Sequence, residues 1–222
     1  MNILIVFATD EEANILKKPG FSVSEKFIFG PHEISVLVTG IGSVQTVWHL
    51  KNYFCTVYKP DLVINAGIAG SFFDDIPVGE VVMPISDTFA DMGIETGEGF
   101  IPIKDMGIMK VEKYPFVADR IFCINNYTRE TAHRLHAVRA ITVNTVTGTD
   151  EKAEKLRLIF NPDIETMEGA AFFYSCMMED IPCLALRAVS NMVGERRSES
   201  WNMSLALKRL KDKLNEILLL IR

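Results

Sequence analysis

The sequence predicts an α/β fold in three layers, α/β/α, around a central mixed, twisted sheet. Two patterns predict it. Several short runs are apolar throughout, as strands covered on both faces are. Between them lie amphipathic or capped stretches of helical length, so strands and helices alternate along the chain. No internal repeat, low-complexity tract or Pro/Gly-rich linker divides the sequence, and residues 1–222 are expected to form one domain.

In order, Asn2-Ile-Leu-Ile-Val-Phe reads as a buried strand, followed by the acidic run Asp10-Glu11-Glu12, which suits a helix N-terminus. Phe27–Phe29 and Ile34–Thr39 read as strands split by Gly30-Pro31, and Ser43 to about Val57 as a helix. Asp61-Leu-Val-Ile-Asn-Ala is a strand expected to stop at Gly67-Ile68-Ala69-Gly70, and Glu80–Ile85 is another. Residues 86–115, rich in Gly and Asp, suggest a long irregular surface or interface loop. Ala137–Val143 reads as a strand and Asp150–Phe160 as a helix with charged faces. The small-residue run after Glu168 reads as a helix, and Cys183-Leu-Ala-Leu-Arg-Ala-Val-Ser as a strand. Met203, Leu207, Leu210, Leu214, Ile217 and Ile221 form the apolar stripe of a closing helix, which either packs on the sheet or pairs in a coiled coil.

Composition narrows the function classes. Nearly half of the 222 residues are apolar, which argues against disorder and for a sizeable core. The net charge of −6, without a basic block, argues against a nucleic-acid groove. The apolar runs at Ile3–Ala8 and Leu218–Ile221 are too short to span a membrane or to act as a signal core. Cys55, Cys123, Cys176 and Cys183 lie in apolar runs without CxxC spacing, the usage of buried thiols in a cytoplasmic protein, with disulfides or metal as the alternative. The histidines have no ligand spacing beyond the weak pair His133 and His136, so no metal is expected, and the reaction expected below requires no cofactor.

Glycine lets a backbone approach a ligand closely, and ligands of α/β proteins sit at strand ends. Gly40-Ile41-Gly42 and Gly67-Ile68-Ala69-Gly70 both follow strands, and ligand contact or plain tight turns would explain either. Neither is a dinucleotide or triphosphate loop. The acidic run is more telling. Phosphate wants arginine or backbone N–H groups, yet the first loop offers Asp10, Glu11 and Glu12, with no arginine before residue 120. A carboxylate there would repel phosphate and could orient or deprotonate water. Asp10 and Glu11 read as helix caps.

The strongest signal lies at residues 164–191. Ile164-Glu165-Thr166-Met167-Glu168-Gly169-Ala170-Ala171 opens it, and Arg187-Ala188-Val189-Ser190-Asn191 closes it. Glu168 and Asn191 stand at the ends of apolar elements. A carboxylate that grips a diol and a carboxamide that reads a base are what a nucleoside site needs. With these motifs, the chain resembles the purine nucleoside phosphorylase and nucleosidase superfamily. Within it the chain is most similar to the hydrolase branch, which includes methylthioadenosine/S-adenosylhomocysteine nucleosidase, and there to the futalosine hydrolases of the alternative menaquinone pathway. The resemblance spans nearly the whole chain, including Glu12, Thr39-Gly40-Ile41-Gly42, Asn65-Ala66-Gly67-Ile68-Ala69-Gly70, Ser190-Asn191-Met192-Val193-Gly194-Glu195-Arg196 and Trp201.

The resemblance implies a nucleoside phosphorylase-like fold and a role for each matched position. Glu12 would activate water, Glu168 would accept from the ribose hydroxyls, Met167 would pack on the sugar, and Arg187 would fix Glu12 and the water. Asn191 would stabilise the departing base. Ile68, Ala69, Gly70, Thr166 and Ser190 would line the substrate site. Trp201 would line it too, or else anchor the last helix in the core. Arg196 would meet the benzoate on the 5′ side of futalosine. The methylthioadenosine branch has aspartate where this chain has Asn191. A carboxamide can donate to O6 while accepting from a protonated N7, so Asn191 favours a 6-oxopurine, with hypoxanthine as the base released. The relatives' aromatic base contact finds no counterpart in Thr149-Asp150-Glu151-Lys152. The expected reaction is hydrolysis of an N-glycosidic bond in a small-molecule nucleoside, in a homodimer with residues 86–115 near the interface. The rival readings are a methylthioadenosine/S-adenosylhomocysteine nucleosidase, a phosphorylase, which phosphate dependence would separate, and a silent nucleoside sensor, which would bind without turnover.

Overall fold

The computed structural model describes residues 1–16, 26–57, 59–97, 99–107, 113–195 and 201–221. Along them run β1 (Asn2–Phe7), α1 (Asp10–Ala13), β2 (Phe27–Phe29), β3 (His32–Val38), α2 (Ser43–Thr56), β4 (Leu62–Ser71), β5 (Val81–Asp87), β6 (Gly93–Thr96), β7 (Gly99–Pro102), β8 (Phe116–Val117), β9 (Arg120–Phe122), α3 (Asn126–Thr131), β10 (His136–Thr142), α4 (Asp150–Phe160), β11 (Ile164–Thr166), α5 (Gly169–Met178), β12 (Cys183–Met192) and α6 (Met203–Leu220). None of the described helices is long and apolar enough to cross a membrane.

The sheet is mixed, in the order β2-β3-β1-β4-β11-β10-β5-β9-β8, with β12 paired to both β4 and β5. β12 runs parallel to β4 and antiparallel to β5. That double pairing closes β4, β11, β10, β5 and β12 into a ring, a feature the sequence pattern does not reveal. Ala69, Val82, Val138, Ala140, Ile164 and Val189, drawn from all five of those strands, pack together as one cluster.

Alternation along β1 sets the layers. Ile3, Ile5 and Phe7 pack with Ala206, Leu210, Leu214, Ile217 and Leu218 of α6, so the closing helix lies on the sheet. Leu4 and Val6 point the other way, to Leu50 and Phe54 of α2 and Phe172, Phe173 and Cys176 of α5. Burial on both faces explains why these strands read as continuous apolar runs.

Four expectations need correction. β4 does not stop at Gly67; it continues to Ser71, because β12 pairs with it through Gly67, Ile68, Ala69 and Gly70. Likewise β12 carries Ser190 and Asn191 inside the strand, with an irregularity in register between Val189 and Asn191. Residues 86–115 are not wholly irregular: β5 reaches Asp87, and β6 and β7 pair as a hairpin with Ile94 opposite Ile101. Cys55 is exposed, on the outer side of α2, whereas Cys123, Cys176 and Cys183 are buried thiols.

The N-terminus of α5 is held from beneath. Thr166 Oγ1 accepts from Gly169 N–H at 3.2 Å, and Thr142 Oγ1 accepts from Ala170 N–H at 2.8 Å. The Thr142 hydroxyl in turn donates to Asp87 Oδ1 at 2.9 Å. Asp87 is fully buried against Gly169, its Oδ2 without a hydrogen-bond partner. Burial pushes its carboxyl from 3.8 up to about 7, against the pull of Thr142, Arg120 and Arg187.

That shift has a signed consequence. Between 3.8 and about 7 the unfolded chain ionises while the folded chain keeps the proton. Stability present below that window is therefore lost as pH rises through it. Asp87→Asn removes the ionisation and keeps the size. The melting temperature of the variant relative to the parent should rise by roughly 5 °C or more between about pH 5 and about pH 8. Parallel pH dependences in calorimetry would show that Asp87 ionises as an ordinary carboxyl.

Candidate active site

A cavity of about 180 Å³ opens where β4, β11 and β12 meet the N-termini of α1 and α5. Glu12, Ile68, Ala69, Gly70, Thr166, Met167, Glu168, Ser190, Asn191 and Trp201 all line it. Arg196 lies outside the described residues.

Glu12 is fixed by its local sequence. Thr9 caps α1, accepting from Glu12 N–H at 3.2 Å, and Glu12 Oε2 returns to the N–H groups of Thr9 at 3.1 Å and Ala8 at 3.0 Å. Its other oxygen, Oε1, accepts from Ile68 N–H on β4 at 3.0 Å. Glu12 is thus both helix cap and cavity wall, while Asp10 and Glu11 are exposed in the first turn. A Cβ on Gly67 would come within 2.9 Å of Glu12 Oε1 and 3.7 Å of Arg187 Nη1, so only glycine lets β4 approach both groups.

Glu168 is the residue before the first turn of α5, and its Oε1 accepts from Gly42 N–H at 3.0 Å. The Gly40-Ile41-Gly42 segment therefore meets the Glu168 carboxylate directly, and Ile41 also lines the cavity. Burial raises the Glu168 carboxyl above its ordinary value, while Gly42 N–H and the Arg187 charge draw it down.

Arg187 does not line the cavity; it lies behind the wall, 1% exposed. Nη1 donates to Asn65 O at 2.9 Å and Leu186 O at 3.1 Å, and Nη2 donates to Asn65 Oδ1. The expected closeness to Glu12 is met across Gly67, but without a direct ion pair among the described residues. Burial lowers the pKa of the guanidinium, opposed by the charges of Glu168, Glu12 and Asp87.

Asn191 is held with one orientation. Nδ2 donates to Met192 O at 2.9 Å, which only an amide nitrogen can do. Ser190 Oγ donates to Asn191 Oδ1 at 2.8 Å and lies 3.3 Å from Ala69 O. One amide N–H and one carbonyl lone pair remain for a ligand. Gly70 makes room for them, since a Cβ there would sit 3.2 Å from Asn191 Nδ2. The segment that leads into α6 returns to this strand, with Asn202 N–H on Ser190 O at 2.8 Å, and so brings Trp201 to the cavity. Thr166 lines the cavity while its hydroxyl serves the α5 turn.

Sequence reasoning assigned no role to Ala8, Thr9, Ile41, Val146 or Glu165, which also line the cavity. Glu165 sits inside the Ile164–Ala171 motif, but β11 spans only Ile164–Thr166 and leaves no alternation from which its direction could be read. Val146 had no signal. Thr149 caps α4 and Asp150 to Lys152 form its first turn, and none of them lines the cavity. No group of His, Cys, Asp or Glu among the described residues could hold a metal.

The chain is 36% identical to a futalosine hydrolase of Streptomyces coelicolor over 98% of this chain and 95% of that protein. It is 25% identical to a 5'-methylthioadenosine/S-adenosylhomocysteine nucleosidase of Bacillus cereus, covering 92% of each. Its backbone matches a futalosine hydrolase structure from Helicobacter pylori with a TM-score of 0.77 at 21% identity, over 98% of this chain and 97% of that one. The family model of the phosphorylase superfamily matches residues 2–219. The chain belongs to the phosphorylase superfamily.

Proposed function

We propose that the protein is a nucleosidase that hydrolyses the N-glycosidic bond of a 6-oxopurine nucleoside, futalosine above all, and releases hypoxanthine. The observation that carries this reading is the state of Asn191. After Met192 and Ser190 are served, its amide offers one donor and one acceptor to the cavity. That pair matches O6 and a protonated N7 on one edge of the departing base. The kinship to a futalosine hydrolase at 36% identity supports the same substrate.

In this mechanism the C–N bond breaks ahead of strong bonding to water, and the sugar passes through an oxocarbenium-like state. Glu168 accepts from the ribose hydroxyls and stabilises the developing positive charge. Glu12, immobilised by its N–H donors, orients water and takes its proton. Asn191 stabilises the departing purine, accepting from the N7 proton, which solvent supplies, and donating to O6, and Met167 packs on the sugar. Charge and dipoles fixed in place before the reaction usually supply more of the rate enhancement than any other effect. Arg187 acts from behind the wall, balancing both carboxylates. Ile68, Ala69, Gly70, Thr166, Ser190 and Trp201 shape the pocket, and Arg196 meets the 5′ benzoate. No Lys or Arg appears among the described lining residues, so phosphate has no cation there and water is the better nucleophile.

The whole chain, 1–222, works as one domain in this reading, and as a homodimer in the cytoplasm. The compartment rests on Cys123 and Cys183, which meet as thiols at 3.4 Å. The dimer rests on Ile41, Val44, Val47 and Trp48. These are exposed apolar side chains; Val44 lies one turn from both Val47 and Trp48 on the α2 surface, and Ile41 also lines the cavity.

Incubation with futalosine should release hypoxanthine at a rate independent of phosphate. Glu12→Gln should lower turnover by about 10²–10⁴-fold while substrate binding persists, read by single-turnover kinetics and calorimetric titration. Phosphate-dependent release, or parental turnover in the variant, would remove hydrolysis or Glu12 from the mechanism.

Asn191→Asp should slow hydrolysis of the 6-oxopurine nucleoside by roughly ten- to a hundredfold, because an acceptor then faces O6. The check is kcat/KM for futalosine and its 6-amino analogue in both proteins. A parental preference for the 6-amino nucleoside would end the base-reading role of Asn191.

Trp48→Glu should turn the dimer into a monomer at micromolar concentration in sedimentation velocity. A parent that sediments as a monomer over the whole concentration range refutes the assembly.

A further inference from the structure

The floor of the cavity holds a second polar side chain besides Asn191, that of Glu165. β4 lies between β11 and β12, and Gly70 is paired on one side with Glu165 and on the other with Asn191. The rung Asn191–Gly70–Glu165 therefore crosses three adjacent strands, with no side chain at its centre. Strands lie about 4.8 Å apart, so the outer two backbones stand on the order of 10 Å apart. A planar base over Gly70 can reach hydrogen-bonding groups on both sides.

Glu165 is 5% exposed and lines the cavity. It has no ion-pair partner among the described residues. Thr147 holds it: Thr147 N–H donates to Oε1 at 2.9 Å, and the Thr147 hydroxyl to Oε2 at 2.5 Å. Both oxygens accept, the pattern of an ionised carboxylate, and each keeps a lone pair. Burial raises this carboxyl above its ordinary value, and the two Thr147 donors draw it back. The lone pairs that Thr147 leaves free cost free energy in a buried carboxylate unless a further donor meets them. The walls nearby, Ala69, Gly70 and Val146, offer none from their side chains.

We propose that Glu165 is a specificity-determining residue that accepts a hydrogen bond from N1–H of the 6-oxopurine, across Gly70 from Asn191. This rests on the nucleosidase reading above. The chemistry discriminates in both directions. A 6-oxopurine carries a proton on N1, next to O6, so Asn191 and Glu165 together read N7, O6 and N1–H along one continuous edge. A 6-aminopurine presents a bare N1 acceptor, which would face a carboxylate lone pair. Rejection then comes from a repulsive contact as well as from a missing attractive one. The alternative role is mechanical: Glu165 fastens the segment carrying Val146 and Thr147 to β11 and touches no substrate.

The test compares a 6-oxopurine nucleoside with its 1-deaza analogue, in which C–H replaces N1–H at the same size. The proteins are the full-length parent and Glu165→Gln, and the readouts are kcat/KM and inhibition by the free bases. Gln keeps the length and a carbonyl for Thr147 N–H. In the parent, loss of N1–H should lower kcat/KM by roughly ten- to a hundredfold, and hypoxanthine should inhibit more tightly than 1-deazahypoxanthine by a similar factor. In Glu165→Gln the deaza penalty should shrink severalfold and the 6-amino to 6-oxo ratio should rise, because an amide can donate to a bare N1. The parent measurement needs no variant, so poor folding of Glu165→Gln leaves the proposal testable. A parent that hydrolyses the 6-oxopurine nucleoside and treats the deaza analogue alike overturns the role of Glu165 alone. A variant that loses activity equally toward every base leaves Glu165 as a fastener and also overturns it. A parent that hydrolyses no 6-oxopurine nucleoside at any phosphate concentration overturns the underlying reading.

Discussion

A guanidinium without access to water governs the arrangement of this site. Arg187 is among the largest fully buried side chains of the molecule. A cation in that position must be compensated, or its desolvation would exceed what packing returns. The compensation comes from several parts of the chain: carbonyls of Asn65 and Leu186, and the charges of Glu168, Glu12 and Asp87. The carboxylates belong to the end of β5, the start of α1 and the start of α5. Elements far apart in sequence thus converge on one charge, and the proposed catalytic carboxylates inherit their placement from it. Without Arg187, Glu12 and Glu168, whose charges repel each other, would stand at a poorly hydrated wall with no cation behind it.

The same constraint explains the shape of the backbone around them. Glycine at 67 leaves room for both Glu12 and Arg187 against β4. Glycine at 70 leaves Asn191 and Glu165 facing the cavity across an empty rung. The N–H groups of residues 8, 9, 42 and 68 each point at a carboxylate oxygen. Most of the polarity of the site is therefore backbone polarity, and the two glycines are what give it access.

The layers were legible in the sequence because burial on two faces leaves a simple mark, the unbroken apolar run. The apolar stripe from Met203 to Ile221 was equally plain, although its partner, the sheet, needed the structure to identify. Glu12, Glu168, Asn191 and the glycine segments were readable through spacing and resemblance, and the cavity brings them together. Ring closure was not readable, since the two ladders of β12 depend on where β4 and β5 end, not on any local pattern. β8, β9 and β11 are two or three residues long and carry no periodicity to detect. Glu165 was overlooked for a different reason: beside Met167 and Glu168 it looked like part of a motif rather than a side chain with its own direction. Arg187 showed its type but not its depth, because a charged residue inside an apolar strand can be a partner of ligand or of scaffold.

Closure of β4, β11, β10, β5 and β12 gives the molecule a hoop rather than a ribbon beside the cavity. A hoop has no edge to peel back and little freedom to change its girth, since widening at one seam must break bonds at another. Three of its staves, β4, β11 and β12, line the cavity. The room available to different nucleobases is therefore nearly constant, and discrimination among them falls to the chemistry of a few side chains at fixed stations. On such a frame, a change of base preference is a matter of exchanging donors for acceptors, one atom pair at a time, with the skeleton left as it stands.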